Sequence, residues 1–230
     1  MSVPADDLIQ AGCPRCGGVA TVRLYESLNP ERFPEARELL RARALHRATC
    51  PGCQQTLHID APVLYTDFEL GLWIHALPEA ERRRLRQHEA EARQLFAQTF
   101  APDRPGALAL GASLRLRVTF GLEELREKMI LAEAALDDRH VEILKLELLA
   151  THPALRPADV RRLIVDAADD RHLHLVAFAG NPLQLLAKME VDRAWYDQLH
   201  AQAATLAAHY PALHDAPGVS MHRYRAEDGE

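Results

Sequence analysis

The chain has 230 residues, of which 48% are hydrophobic and 26% charged, and this globular composition excludes an intrinsically disordered protein. A net charge of −6 argues against the broadly basic surface with which general nucleic-acid binders release phosphate counterions. No apolar run approaches the roughly 18 residues of a transmembrane helix, and residues 1–10 lack the apolar region of a signal peptide. We therefore expect no membrane association and a reducing, cytoplasmic compartment.

The first predicted elements lie between two cysteine pairs, CPRC at 13–16 and CPGC at 50–53. Residues 21–25 alternate apolar and polar side chains, which predicts a strand. Residues 34–47 predict a helix with Glu35 in its first turn. This inserted helix makes the spacing between the pairs longer than the about 15–20 residues that are usual in zinc ribbons.

After the second pair, the pattern predicts strands and then helices. The predicted strands cover residues 56–60, 63–65, 70–74 and 114–120, with a turn at 66–69 between the second and third. The predicted helices cover residues 78–100 and about 122–136, and after an interruption at 137–138 a further helix carries Val141, Leu144, Leu148 and Leu149. Pro102, Pro105 and Gly106 predict a loop, while Pro153 and Pro157 predict a domain boundary. The predicted domains are therefore residues 1–152 and 153–230.

The second domain is predicted to contain a hairpin followed by helix. Residues 160–166 and 172–178 form the hairpin, around a turn at 168–170. Asn181, Pro182 and Gln184 predict the start of a helical stretch to about residue 209, and residues 219–225 predict a short strand. The fold class is α+β: a zinc-ribbon-like β core with an inserted helix, antiparallel strands and packed helices, plus a C-terminal α+β segment.

The two cysteine pairs carry the clearest chemistry. Two C-x-x-C pairs in a reducing compartment predict one tetrahedral Zn²⁺ site, whose ligands are Cys13, Cys16, Cys50 and Cys53. Four thiolates leave no coordination position for water or substrate, so the predicted metal is structural. The alternative is a dithiol redox centre, but such centres usually contain a single pair at the start of a helix. A zinc site that is released by oxidation also stays open.

Several segments, taken in chain order, resemble the CpXC-domain family of bacterial proteins. The segments that carry the resemblance are CPRCG at 13–17, CPGC at 50–53, LYTD at 64–67, FGLEELREK at 120–128 and LDDR at 136–139. The paired CPxC signature is the most specific of them, and the resemblance spans roughly residues 10–150. It implies four cysteine ligands and a bacterial origin, but no defined biochemical activity. Residues 153–230 have no counterpart in it.

Other polar groups are weaker candidates for a site. His172 and His174 share one face of a predicted strand, but no third ligand is identifiable near them, so a solvated strand face is favoured. Asp67 follows a predicted strand, where stabilising a turn is favoured over acting as a general base. The sequence contains no H-E-x-x-H, P-loop or G-x-S-x-G motif, and we predict no catalytic residue.

Three functions are compatible with these features. The favoured one is a non-enzymatic zinc protein that serves as a scaffold or adaptor for another protein, through residues 79–100 or 153–230. The alternative is a nucleic-acid-binding or regulatory zinc-ribbon protein, which requires a basic patch built from Arg82, Arg83, Arg86, Arg115 and Arg117. The third is an enzyme whose pocket gathers Asp67, Asp137, Asp138 and His140.

Overall fold

The structure is a computed structural model that describes residues 6–101, 103, 105–152, 155, 160–180 and 184–224. The chain folds as two compact units, Met1–Arg126 (the first unit) and Glu127–Glu230 (the second unit). This division differs from the domain boundary predicted after residue 152. Pro153 and Pro157, on which that boundary rests, lie outside the described residues, so the boundary stays a prediction.

The first unit is built from short strands and from helices that follow them. Its strands are β1 (Asp6–Gly12), β2 (Val19–Tyr25), β3 (Ser27–Leu28), β4 (Arg47–Thr49), β5 (Thr56–His58), β6 (Val63–Asp67), β7 (Leu72–Leu77) and β8 (Arg115–Phe120). Its helices are α1 (Ala36–Arg41), a 3₁₀ helix at Glu79–Arg84, α2 (Leu85–Thr99) and α3 (Pro105–Ala112). Helix α4 (Leu122–Glu133) begins in this unit and ends in the second.

Two antiparallel hairpins place the cysteine pairs. Strands β1 and β2 pair from Asp6↔Tyr25 to Gly12↔Val19, and the first cysteine pair lies in the turn between them. Strands β4 and β5 pair from Arg47↔His58 to Thr49↔Thr56, and the second cysteine pair lies in that turn. Each pair therefore lies at the tip of a hairpin. Strand β1 is new relative to the sequence pattern.

A separate four-stranded sheet has the order β3-β6-β7-β8. The pair β6–β7 is antiparallel, whereas β3–β6 and β7–β8 are parallel, so the prediction of antiparallel strands is only partly right. Helix α2 packs on this sheet: the rings of Trp73 in β7 and Phe96 in α2 meet edge to face, with their centroids 5.4 Å apart. Trp73, Val118 and Phe120 are buried in the same apolar core.

The second unit packs helices on an antiparallel sheet. Its elements are α5 (Asp138–Thr151), β9 (Val160–Ala168), β10 (His172–Ala179), β11 (Gln184–Asp192), α6 (Arg193–Ala201), α7 (Ala203–His209), α8 (Pro211–His214) and a 3₁₀ helix at Met221–Tyr224. The strand order is β11-β10-β9. Val141, Leu144 and Leu148 lie one helical turn apart on α5 and share the core with Leu163 and Leu175 of the sheet.

Four predicted elements are wrong in extent or type. Pro105 and Gly106, which predicted a loop, instead begin helix α3. The inserted helix predicted at residues 34–47 is confined to α1, because the chain turns back at Arg43 and His46, whose φ angles are both 53°. Residues 184–192 form strand β11 and not a helix, and Met221–Tyr224 is a 3₁₀ helix and not a strand. Pro102, Asn181, Pro182 and Arg225, on which parts of the prediction rest, lie outside the described residues.

The helices were also compared with the length that a bilayer requires. Among the residues that the structure describes, no helix is both long enough and apolar enough to span a membrane.

Candidate metal centre

The four cysteine sulfurs come together between the two hairpin tips. Cys13 Sγ lies 3.5 Å from Cys53 Sγ, and Cys16 Sγ lies 3.5 Å from Cys50 Sγ. All four sulfurs lie within 4.8 Å of one another. In a tetrahedral site with Zn–S bonds of about 2.3 Å, the sulfurs are separated by about 3.8 Å. The observed spacing therefore fits four thiolates around one metal ion after only small adjustments.

The two turns that hold these cysteines, residues 13–18 and 50–55 (the knuckles), have the same backbone structure. In each knuckle the N–H of the first cysteine donates to the carbonyl five residues later, at 2.7 and 2.8 Å. The carbonyl of that cysteine accepts from the N–H four residues later, at 2.9 Å in both. That fourth residue has a positive φ in both knuckles, 72° at Gly17 and 60° at Gln54. The sulfurs are thus positioned by two copies of one turn.

A small apolar core holds the knuckles together. It contains Ala11, Ala20, Val22 and Leu57 together with Cys13 and Cys50, all of them buried. Cys16 is exposed and Cys53 is half-buried. Because hairpin β4–β5 has only three residue pairs, its cross-strand contacts alone provide limited stability. The sulfur cluster lies where a metal would fasten one hairpin to the other.

Buried His46 connects the two hairpins through hydrogen bonds, a role that the sequence analysis missed. Its Nε2 accepts a 2.9 Å hydrogen bond from the N–H of Tyr25, at the end of β2. Its backbone carbonyl accepts from the N–H of Ile59, just after β5. Burial lowers the pKa of His46, which keeps the ring neutral and leaves Nε2 free to accept. A histidine that precedes a strand has no sequence pattern that would have indicated this role.

The electrostatics of the cluster call for a cation. Burial raises the pKa of the Cys13 thiol, but backbone N–H groups of Arg15 and Cys16 outweigh burial and lower this pKa to about 7. At Cys53 the N–H of Gln55 lowers the pKa, whereas burial and the neighbouring thiols raise it to about 12. Without a cation, one thiolate therefore opposes the formation of the next. A bound Zn²⁺ removes this opposition, because it deprotonates the thiols that coordinate it.

The space around the sulfurs also fits a metal centre. A Cβ atom added at Gly18 would lie 3.3 Å from Cys16 Sγ and 3.4 Å from Cys50 Sγ. Because glycine has no Cβ, the backbone approaches two sulfurs from opposite knuckles without this tight contact. Among the residues described, the four cysteines are the one group in which at least three ligand atoms lie within 4.8 Å.

Asp67 lies at the end of β6 and has a structural role. Its carboxylate accepts two hydrogen bonds from Arg37, at 2.7 and 2.8 Å, and one from the hydroxyl of Tyr65 at 2.7 Å. It also accepts from the N–H of Leu70, which stabilises the turn before β7. This matches the interpretation of Asp67 as a turn-stabilising residue. The carboxylate is fully buried and already has four donors.

The remaining residues of the hypothetical enzyme site belong to the second unit. Asp137 caps helix α5 by accepting from the N–H of Arg139, and its carboxylate also pairs with the Arg139 guanidinium. Asp138 is buried beside the ammonium of Lys128, 3.2 Å away. Buried His140 places its Nδ1 3.2 Å from the Nδ1 of His200. The two aspartates thus already have partners that stabilise the fold.

The proposed basic patch loses one of its members to ion pairing. Arg82 donates to Glu79 at 2.6 Å and to Glu124 at 2.9 Å, and its guanidinium also lies over the ring of Phe120. Arg83, Arg86 and Arg115 are exposed. Because Arg82 is neutralised by two carboxylates, it adds little to the attraction of a phosphate backbone.

The family comparison agrees with the knuckles. The model of the family described as CpXC protein matches residues 11–145, which is more than half of the chain and includes all four cysteines. No curated protein and no solved structure matches the chain. The two CPxC knuckles and this match establish one identity: the chain belongs to the CpXC protein family.

Proposed function

We propose that this protein binds one structural Zn²⁺ through Cys13, Cys16, Cys50 and Cys53. The observation that carries the proposal is the convergence of four sulfurs within 4.8 Å from two knuckles of identical hydrogen-bond pattern. Zinc suits this donor set because soft thiolates and tetrahedral geometry are its usual preference in closed sites. With the metal bound, hairpins β1–β2 and β4–β5 form a zinc-ribbon-like core around it.

A closed zinc site supports a role as a scaffold and not as an enzyme. All four positions around the metal are taken by cysteine, so the zinc offers no site for water or substrate. We propose that the protein is a non-enzymatic adaptor of the bacterial cytoplasm, in which zinc rigidifies the surface that contacts another protein. The net charge of −6 favours a protein partner over a nucleic acid.

Helix α3 supplies the surface feature that supports protein contact. Its sequence from Pro105 to Ala112 has no charged residue, yet Leu108 and Leu110 are 48% and 49% exposed. A helix that is apolar on all sides is normally buried. Exposed apolar side chains on such a helix are typical of a protein-binding surface.

The experiment compares the purified full chain with Cys13→Ser. We expect about one zinc per chain by elemental analysis, and a large loss of zinc in the variant. The melting temperature should fall as well, because structural zinc contributes on the order of 10 kcal/mol to the folding of small modules. His58→Ala is the control: it removes an exposed histidine from hairpin β4–β5, and the zinc content should not change.

The adaptor role is tested by crosslinking the full chain to its partners in cells and then purifying it. We expect a defined partner to crosslink to the wild type, and Leu108→Asp combined with Leu110→Asp to reduce its yield at least tenfold. Leu185→Asp, at an exposed leucine of β11, is the matched control and should leave the yield unchanged.

Two outcomes would contradict the proposals. A metal-free Cys13→Ser protein that melts like the wild type would rule out a structural zinc. Equal partner yields for the wild type, the Leu108→Asp/Leu110→Asp variant and Leu185→Asp would rule out the adaptor surface.

A further inference from the structure

Four side chains that can bind a metal lie together on one face of the sheet in the second unit. His172 and His174 alternate along β10, so both point to the same face. Glu190 of β11 is the cross-strand partner of His174, which places its side chain on that face too. Asp169 lies in the turn that leads into β10. The sequence analysis found no third ligand because it interpreted Asp169 as a turn residue and predicted a helix where β11 lies.

Each histidine lies between the same two carboxylates. His174 Nε2 is 3.1 Å from Asp169 Oδ2, and His174 Nδ1 is 3.6 Å from Glu190 Oε2. His172 Nδ1 is 3.8 Å from Asp169 Oδ1, and His172 Nε2 is 3.5 Å from Glu190 Oε1. The centroids of the two rings are 6.3 Å apart. The four groups thus form a closed ring of alternating carboxylate and imidazole.

These spacings bring the four side chains within reach of one small cation. Metal–nitrogen and metal–oxygen bonds of about 2.0–2.2 Å place tetrahedral ligands roughly 3.3–3.6 Å apart. The four nitrogen–oxygen distances, 3.1 to 3.8 Å, are of that size, but they join eight atoms, two from each side chain, whereas a metal ion takes one atom from each. The ring is therefore not itself a coordination sphere, and among the described residues only the cysteines already form a close group of ligand atoms. Binding one ion therefore requires the side chains to rotate, and all four are 36–57% exposed, which leaves them room to do so.

The charge on this face favours a cation. On this face two carboxylates lie against the two imidazoles, so the acidic groups carry its negative charge. The Arg193 guanidinium lies close by, but it donates to the backbone carbonyls of Asp169 and Ala134 and not to the carboxylates. Asp192, the cross-strand partner of His172, adds a third carboxylate to the same face and caps helix α6.

We propose that Asp169, His172, His174 and Glu190 form a second metal site, which binds one divalent late transition-metal ion such as Zn²⁺ or Ni²⁺. Two imidazoles and two carboxylates match these ions, whereas Mg²⁺ and Ca²⁺ prefer oxygen ligands alone. The site differs from the cysteine centre in its position and in its chemistry. Being exposed, it exchanges its metal more readily than the closed cysteine site.

The experiment titrates the full chain with ZnCl₂ by calorimetry after its cysteine site has been filled and its zinc content measured. We expect one additional zinc per chain at neutral pH. The double variant His172→Ala/His174→Ala should weaken this binding at least 100-fold, and Glu190→Gln about 10-fold. The zinc content of the cysteine site should be the same in all of these proteins, so this test does not depend on the structural site.

His209→Ala is the control for unspecific binding, because His209 is an exposed histidine outside the ring. It should bind the additional zinc like the wild type, and MgCl₂ should produce no binding heat in any protein. All exchanged side chains are exposed, so circular dichroism should show the same fold throughout. The proposal is overturned if the loaded wild type takes up no further zinc, or if the double alanine variant binds it as tightly as the wild type.

Discussion

Gly18 shows how a single residue controls access to the sulfurs. Gly18 lies two residues after the first cysteine pair, where the structure leaves little space for a side chain. Any side chain at Gly18 would contact Cys16 Sγ and Cys50 Sγ at 3.3–3.4 Å, which is tighter than an ordinary van der Waals contact. A Cβ at Gly52 would meet the same sulfurs at 3.5 and 3.9 Å, within the ordinary range.

We therefore expect Gly18→Ala to weaken zinc binding about tenfold, within the range found for groups that support metal ligands. The added methyl group presses on one ligand from each knuckle, and neither sulfur can move away while it coordinates the metal. The measurement is a competition with a chelator of known zinc affinity. Gly52→Ala is the matched control and should change the affinity less than threefold. Equal affinities for both variants would show that the sulfurs yield to the added methyl group.

At the scale of elements, the Arg37–Asp67 pair joins helix α1 to the end of strand β6. The pair is bidentate, and Asp67 is fully buried, whereas the Arg37 side chain is 21% exposed and also reaches Glu69. Burial raises the pKa of Asp67, but hydrogen bonds from Arg37, Leu70 and Tyr65 outweigh burial and lower it below the usual value. The inserted segment is therefore tied to the sheet by one ionised carboxylate.

Because the pKa of Asp67 is lowered on folding, its stabilising contribution is complete above the usual aspartate pKa of about 4 and is lost as the pH falls through the folded-state value. We expect Asp67→Asn to cost about 2–4 kcal/mol of unfolding free energy at pH 7, since it leaves Arg37 poorly paired. The difference between variant and wild type should shrink as the pH falls from 5 to 2. Urea unfolding at several pH values measures both effects.

Glu69→Gln is the control for this prediction, because it removes the other carboxylate that pairs with Arg37. The side chain of Glu69 is 74% exposed, and an exposed ion pair contributes at most about 1 kcal/mol. A loss for Asp67→Asn that is no larger, or that stays constant down to pH 2, would contradict the assigned role.

Local sequence predicted elements well where one face of each was buried. The hairpin at 160–166 and 172–178 is confirmed by β9 and β10, because alternation reports a half-buried strand directly. Strand β11 was missed, since Leu185, Leu186, Lys188 and Met189 favour a helix. Pairing with β10 along nearly the whole strand overrides that local preference. Because of the same error, Glu190 was not predicted to lie near the histidines. The cysteine cluster, in contrast, could be predicted from the two CPxC spacings alone.

At the scale of the whole molecule, each unit has its own ion pairs that join its elements. In the second unit a buried network joins α4, α5, β9 and the segment before the C-terminal 3₁₀ helix. Lys145 lies 2.6 Å from Glu127 and 3.0 Å from Glu142, and Lys128 lies 3.2 Å from Glu142. Glu127 accepts from the N–H of Val165, Glu142 from that of Met221, and Lys128 donates to the carbonyl of Val219.

No sequence pattern indicates this network, because Lys and Glu at helical spacing usually mark a solvated face. Here Glu127, Lys128, Glu142 and Lys145 are all 1–3% exposed. Charges buried to this degree persist in a fold only when they are paired and hydrogen-bonded. The network is therefore a property of the assembled second unit and not of any one helix.

Lys145→Met tests this conclusion, because it removes the charge while nearly keeping the volume. Glu127 and Glu142 then lose their shared cation, and we expect a loss of about 3–5 kcal/mol in unfolding free energy. Adding Glu127→Gln should recover about 1–3 kcal/mol of this loss, since two residues in one network couple.

Hydrogen exchange locates the effect. In Lys145→Met it should accelerate in β9 and β10, whereas removal of zinc by a chelator should accelerate it in the two knuckle hairpins. Lys188→Met, at an exposed lysine of β11, should change stability by less than about 0.5 kcal/mol. If Lys145→Met costs no more than Lys188→Met, the buried network does not stabilise the second unit.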